Sequence, residues 1–238
     1  MKILLIGYGK MGKTIEQMAQ AKGHEIIGRI DHDNADELRN FTSENTDVAI
    51  EFTHPESAFG NVTYCLTHGI PVVSGSTGWL DRFEEAVALC LKQNGAFFYA
   101  SNYSVGVNLF FHFNEYMASK MQAYKEYDVS VKEVHHLQKV DKPSGTGITA
   151  AEGILSSYTN LEGWVSDNPE EKSKLNIVSE REPDVVGTHI VTYSSEVDKI
   201  ELSHIAHTRA GFAEGAIMAA QWLIGREGVY GMKEMLNL

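Results

Sequence analysis

An α/β fold is predicted, with a parallel sheet first and a central α+β block after it, and three features predict it. Up to about residue 100 short β-rich runs alternate with helix-like segments. The first apolar run, Ile3-Leu4-Leu5-Ile6, leads straight into a glycine-rich turn. After Asn102 the alternation gives way to a helix of large apolar residues and a long alternating strand. Strand–helix alternation puts helices on both faces of a parallel sheet, whereas segregated helices and strands make an α+β layer.

The elements follow in order. Strands are expected over residues 2–6, 25–30, 48–52, 71–74 and 96–100, with helices over 11–22, 55–68 and 81–93. In the last of these helices Phe83, Ala86, Val87 and Cys90 recur at helical spacing and Gly95 stops the run. Beyond Asn102, Leu109, Phe110, Phe113, Tyr116, Met117 and Met121 mark a helix, and residues 127–135 alternate as a strand. A polar loop, a helix over 146–158 and strands over 175–179, 188–194 and 199–204 complete a mixed or antiparallel block. A last helix over 211–224 presents Phe212, Ala216, Ala219, Ala220 and Leu223 on one face. Its small residues suit close packing on a sheet, so it is expected to return to the first domain. The expected domains are therefore residues 1–103 with 210–238, and residues 104–209.

Composition narrows the partners. The 238 residues carry a formal net charge of −12, which opposes binding to nucleic acid or an anionic membrane. The first apolar run is too short to span a bilayer and lacks a signal-peptide cleavage site, so a cytoplasmic protein is expected. Cys65 and Cys90 lie in apolar, helix-like contexts and read as free buried thiols. An acidic chain that acts on an anion needs a locally basic pocket.

Gly7-Tyr8-Gly9-Lys10-Met11-Gly12 is a G-x-G-x-x-G between a strand and a helix. The first glycine allows the tight turn, the second lets backbone N–H groups approach a pyrophosphate, and the third lets the helix pack close. The helix N-terminus adds its partial positive charge. Asp31 closes the second strand, roughly 20 residues on, where a ribose-binding acid belongs in a Rossmann-type domain. Two further loops fall at the carboxyl ends of strands, where such sheets bind ligands. One is Gly75, Ser76 and Thr77; the other is Ala100, Ser101, Asn102 and Tyr103. The expected cofactor is NADH and/or NADPH. Asp31 favours NADH, because a 2′-phosphate would meet like charge, while Arg29 on the same strand face is expected to compensate in part.

The densest chemistry lies between Glu133 and Gly147. His135, His136, Lys139 and Lys142 precede Ser144-Gly145-Thr146 at a helix N-terminus, an anion-binding constellation in an acidic chain. Ser144 and Thr146 offer hydroxyl donors, and Gly145 lets backbone N–H groups reach a carboxylate. The plainer alternative is a surface loop whose Ser144 caps the helix. A metal site is not expected, since adjacent histidines point opposite ways on a strand and no third ligand is suitably spaced.

The run EVHHLQKVDKPSGTG resembles the signature of the dihydrodipicolinate reductases. GYGKMG, EFTHPES, GSTG, ASNYSVGVN and SHIAHTRAGFAEGAIMAAQWL follow in the order of that family, so the resemblance spans the chain. It implies NAD(P)H-dependent reduction of the dehydrated form of 4-hydroxy-tetrahydrodipicolinate, a cyclic dicarboxylate, in diaminopimelate and lysine biosynthesis. It implies His135 as acid/base, Lys139 as proton donor, and His136 with Gly145–Thr146 as carboxylate contacts. It also implies a homotetramer built by the middle domain and closure about hinges near residues 101–105 and 209. Glu51 stands where Asp is more usual, Ser76 replaces a common Thr, and Lys142 replaces a common Ala and adds charge at the pocket mouth. Family members that accept NADPH often carry Arg where this chain has His32. Two rival readings remain: another amino-acid-pathway dehydrogenase, and an NAD(H)-sensing protein without turnover.

Overall fold

The computed structural model describes residues 1–238 as two compact units. One comprises Met1–Val105 with Ala210–Leu238, the other Gly106–Arg209.

The first unit holds β1 (Lys2–Ile6), α1 (Lys10–Ala21), β2 (Glu25–Ile30), β3 (Val48–Glu51), α2 (Pro55–Thr67), β4 (Val72–Ser74), α3 (Phe83–Lys92) and β5 (Ala96–Tyr99). Its strands pair in parallel throughout. Successive side chains point to opposite faces of a sheet, and both faces here are covered. Ile3, Leu5, Ile50, Val73 and Phe98 pack on the side of α1 and the terminal helix. Leu4, Ile6, Ala49, Val72 and Phe97 pack on the side of α2 and α3. Covering both faces is why β1 reads as an unbroken apolar run.

In the second unit α4 (Val105–Met121), which starts at the last residue of the first, leads to β6 (Asp128–His135), α5 (Gly145–Leu155), β7 (Trp164–Ser166), β8 (Leu175–Arg181), β9 (Gly187–Ser194) and β10 (Lys199–Ala206). These strands form a five-stranded mixed sheet, ordered β10-β9-β6-β8-β7. Central β6 runs parallel to β8 and antiparallel to β9. Val131, Ile177, Val191 and Tyr193 meet Phe110, Ala118, Ala150 and Ile154 of the two helices in one core. Asn114 of α4 ties the helices together by donating to the Ala150 carbonyl at 2.8 Å. The opposite sheet face carries the half-exposed Val178 and Ile190 beside a Lys132–Glu180 ion pair at 2.9 Å.

The chain then returns to the first unit through α6 (Ala210–Leu223), β11 (Gly228–Tyr230) and α7 (Met232–Leu236). β11 is the edge strand in the order β11-β5-β4-β3-β1-β2. Ala213, Ala216, Ala219 and Ala220 of α6 are fully buried, as the small-residue face predicts.

Several details depart from the sequence reading. A 3-10 segment, His32–Asn40, follows β2, and a 3-10 turn, Leu80–Arg82, precedes α3. The helix expected to reach residue 158 stops at Leu155, where Ser156 turns its hydroxyl back onto the Gly153 carbonyl. β8 extends past 179 to Arg181 because its ladder with β6 continues to the His135–Arg181 pair. Strands β7 and β11 and helix α7 were not expected; each has five residues or fewer, too few for a periodic pattern.

Candidate active site

In the first unit a cavity of about 780 Å³ opens at the carboxyl edge of the parallel sheet. Gly7, Tyr8, Gly9, Lys10 and Met11 line one side, Asp31 and His32 another, and Gly75, Ser76 and Thr77 a third. Gly7 has φ +96°, and a Cβ there would lie 2.0 Å from the Phe52 carbonyl oxygen, so only glycine makes this turn. A Cβ on Gly75 would strike the Phe52 ring at 2.1 Å. Gly9 is different: a Cβ there would meet nothing within 4 Å, because its backbone faces the open groove. A groove walled by backbone, with a carboxylate at one end, fits a dinucleotide. The turn would hold the pyrophosphate and Asp31 the adenosine ribose.

The third wall is braced by Glu51, which is fully buried. Its carboxylate accepts hydrogen bonds from the hydroxyls of Ser74 (2.6 Å) and Ser76 (2.7 Å), from the Thr53 N–H (2.9 Å) and from the Thr53 hydroxyl. The two residues that depart from the resembled pattern here, Glu51 and Ser76, are thus bonded to each other.

Not every residue singled out from sequence reaches the groove. Gly12 lies under the turn, where a Cβ would be 2.2 Å from the Gly7 oxygen. The Ser76 hydroxyl is committed to Glu51. Ala100, Ser101 and Asn102 lie beyond β5 and do not line the cavity. The Tyr103 side chain is 1% exposed and donates to the Ser74 carbonyl at 2.6 Å, so it packs in the core beneath the sheet edge. Arg29, expected to help with a 2′-phosphate, is held instead by Glu16. Thr53, Ser57 and Asn61 also line the groove and escaped the sequence reading. Their EFTHPES context signals a strand end and a helix start, but not which side chains turn inward.

In the second unit the chemistry gathers around a residue to which sequence assigned no role. Glu133, on β6, is fully buried. Its carboxylate accepts from the Ser144 N–H at 3.0 Å and from the Ser144 hydroxyl, and Arg181 of β8 reaches it at 3.4 Å. Burial alone would raise its pKa, but the hydrogen bonds from Ser144 hold it below the usual range. His135, two residues along the same strand face, brings Nδ1 to 3.9 Å from Glu133. It is 6% exposed and packs edge-on against His189 of β9, ring centroids 5.0 Å apart. Burial lowers the pKa of His135, partly offset by Glu133. His189 is lowered to about 3, by burial first and His135 second, so both imidazoles are neutral near pH 7.

Two further groups stand nearer the surface. Lys139 pairs with Asp141 at 2.8 Å beside the cluster. His136 accepts from Arg209 at 3.2 Å. Ser144 caps α5 by accepting from the Gly147 N–H at 3.0 Å. With Ser144 2% exposed and bonded to Glu133, its hydroxyl is not free for a substrate carboxylate, and the anion donors of this turn reduce to Gly145 and Thr146. Lys142, the other departure, is turned aside to Asp167 at 2.9 Å and adds no free charge to the pocket mouth.

The sequence argument that no third metal ligand is suitably spaced does not hold. His189 arrives from β9, and ligand atoms of Glu133, His135 and His189 lie within 4.8 Å of one another. Both Glu133 oxygens already accept from Ser144, Oε1 from its N–H and Oε2 from its hydroxyl, and the Arg181 guanidinium stands 3.4 Å away. His189 and Arg181 carried no sequence signal, because only strand pairing brings them to β6.

Two family models divide the chain. The one described as dihydrodipicolinate reductase, N-terminus, matches residues 1–103, and the one described as dihydrodipicolinate reductase, C-terminus, matches residues 106–236. The 4-hydroxy-tetrahydrodipicolinate reductase of Christiangramia forsetii is 47% identical over 237 residues, covering 100% of this chain and 98% of that protein. The enzyme of that name from Alkaliphilus metalliredigens is 33% identical over 245 residues, with 100% of both covered. Among solved structures, dipicolinate-bound dihydrodipicolinate reductase from Paenisporosarcina sp. TG-14 shares the fold, with TM-score 0.80 over 98% of each chain at 22% identity. A probable dehydrogenase from Thermotoga maritima reaches a TM-score of 0.53 at 10% identity, covering 99% of this chain and 92% of that one.

Proposed function

The chain belongs to the dihydrodipicolinate reductase family, and we propose that it reduces the dehydrated form of 4-hydroxy-tetrahydrodipicolinate to tetrahydrodipicolinate, a step of diaminopimelate and lysine biosynthesis. The observation that carries the reading is the charged cluster on β6 and its following loop, which joins a proton source to an anion-binding turn. NADH or NADPH, bound in the groove of the first unit, supplies the hydride.

The protein's own residues do the rest. The Gly145 and Thr146 N–H groups at the start of α5, with His136 and Arg209, hold the carboxylates of the ring. Lys139, held by its ion pair with Asp141, gives the proton that quenches the negative charge left on the ring after reduction. The charge builds next to Lys139 and Arg181, which are in place beforehand and need no reorganisation. His135 is the acid/base partner behind Lys139, and Glu133 fixes its side of the strand. The first unit is the dinucleotide-binding domain, and the second binds substrate.

Copies of the second unit associate into a homotetramer through the open face of the mixed sheet. The half-exposed Val178 and Ile190, with Ile205 at 55% exposure, support this. Light scattering at micromolar protein is expected to give a tetramer. A monomer contradicts the assembly and leaves the chemistry standing. No helix is long and apolar enough to cross a membrane, both cysteines are free and buried, and a cytoplasmic location suits this chemistry.

The rival readings separate in one assay. With freshly generated precursor the protein is expected to oxidise NADH or NADPH at many turnovers per active site. Turnover with aspartate or homoserine chemistry instead would make it another dehydrogenase. Cofactor binding with no turnover on any of these would make it a sensor.

A further inference from the structure

The ribose end of the groove contains an arginine that does not line it. Arg29 lies on β2 and Asp31 follows the strand's last residue in extended backbone, so the two side chains start on the same face. Yet Asp31 and His32 line the cavity and Arg29 does not. Its Nε donates to Glu16 Oε1 at 2.9 Å, and its Nη2 donates to the same oxygen. Tyr8, a groove residue, donates its hydroxyl to the other oxygen, Oε2. Gln20, one turn along α1, adds a contact at 3.2 Å. Glu16 is therefore enclosed, with 12% of its side chain exposed, while Arg29 remains 41% exposed and free to swing if released. The hydrogen bonds from Arg29 and Tyr8 hold the Glu16 carboxyl below its usual range, so the pair is charged at neutral pH.

Asp31 is left facing the groove with no cation paired to it. Its carboxylate caps the 3-10 segment, accepting from the backbone N–H groups of His32 and Asn34, and that segment adds Asp33, Asp36 and Glu37. A 2′-phosphate at this end would meet acid without its natural counter-ion, whereas ribose hydroxyls would meet an acceptor.

We infer that Glu16, together with Tyr8, withholds Arg29 from the ribose end of the dinucleotide groove, so that Asp31 selects NADH over NADPH. The inference rests on the reading of the groove as a dinucleotide site. The selectivity-setting residue is then Glu16 on α1, which lies outside the glycine-rich motif and the β2 acid, where selectivity is ordinarily read.

The test compares the unmodified protein with Glu16→Ala, Arg29→Ala and the double variant. NADH and NADPH binding is followed by nicotinamide fluorescence, and kcat/KM for both cofactors is measured at one ionic strength. The unmodified protein is expected to favour NADH. Arg29→Ala is expected to leave the NADPH/NADH ratio within about twofold, since a sequestered arginine contributes nothing to it. Glu16→Ala is expected to move the ratio toward NADPH by about fivefold, the effect of one exposed ion pair between the released arginine and the phosphate. The double variant is expected to return to the unmodified ratio. If Arg29→Ala alone weakens NADPH selectively by about tenfold, Arg29 already serves the phosphate and the inference fails. An unmoved ratio in a folded Glu16→Ala protein also overturns it. Should Glu16→Ala not fold, Glu16→Gln keeps the volume, removes the charge and is read in the same way. Failure to bind either cofactor would instead contradict the reading of the groove, an outcome distinct from a ratio that does not respond.

Discussion

The two units build their sites from opposite materials. The groove of the first unit is shaped largely by backbone and by missing side chains: Gly7, Gly9 and Gly75 open the space, and at its third wall the Ser76 hydroxyl is spent on the buried Glu51. The cluster of the second unit is made of side chains and charge, with Glu133, His135, His189 and Arg181 gathered from three strands and Lys139 from the loop after β6. A cofactor that carries its own chemistry needs only to be held and aimed. A substrate that must accept a proton needs charge held in place in advance. Substitutions in the two units should therefore fail in different ways.

The largest expected effect tests the charged unit. Lys139→Ala should lower kcat by roughly 10²–10⁴-fold, the range for losing a positioned proton donor, with NADH binding unchanged. Steady-state kinetics beside a cofactor titration checks it. A near-normal kcat would remove Lys139 from the role.

Next comes the backbone unit. Gly7→Ala places a Cβ against the Phe52 carbonyl at positive φ. It should destabilise the first unit by about 2–4 kcal/mol and weaken NADH binding, because a residue forced into this conformation must distort the turn. Denaturant melts and a cofactor titration read both effects. Unchanged stability with normal binding would show that the turn tolerates a side chain.

A smaller effect separates the units by pH. His189 is neutral in the fold, with a pKa of about 3, by burial first. Unfolded, it titrates near the ordinary value of about 6.5. Between these values the unfolded chain binds the extra proton, so stability falls as pH drops from about 6.5 toward 3 and is unaffected above. The loss should be on the order of 2–3 kcal/mol at pH 4.5. His189→Gln should flatten that dependence, read from denaturant midpoints between pH 7 and pH 4.5. A dependence as steep in the variant would assign the acid sensitivity to other groups.

The same contrast explains what the sequence could disclose. The groove was legible because its parts are local: a glycine run between a strand and a helix, an acid just after the next strand, and the loop after β4. The turn proposed to bind the anion and Lys139, the proposed proton donor, are local too, in one run from Glu133 to Gly147. The hub was not. Glu133 stood in plain view two residues before His135, but its role depends on Arg181 and His189, which strand pairing alone delivers. Ser144 and Tyr103 were misjudged in a related way. Both are polar residues in loops, and burial turned each hydroxyl inward, to Glu133 and to the Ser74 carbonyl. Arg29 shares a face with Asp31 by strand periodicity, as read, yet Glu16 from the neighbouring helix captures it. Sequence periodicity gives the direction of a side chain and not the partner waiting there.

The central claim, that the groove serves hydride transfer and the cluster serves proton transfer in one reduction, is tested most directly by following the atoms. The protein would be supplied with freshly generated precursor and a nicotinamide deuterated at the transferring position, in ordinary water, and the product analysed by mass spectrometry and NMR. The account predicts one deuterium on the product ring from the cofactor and one proton from solvent on the same ring. A product without deuterium, or no product while the cofactor binds normally, would contradict it.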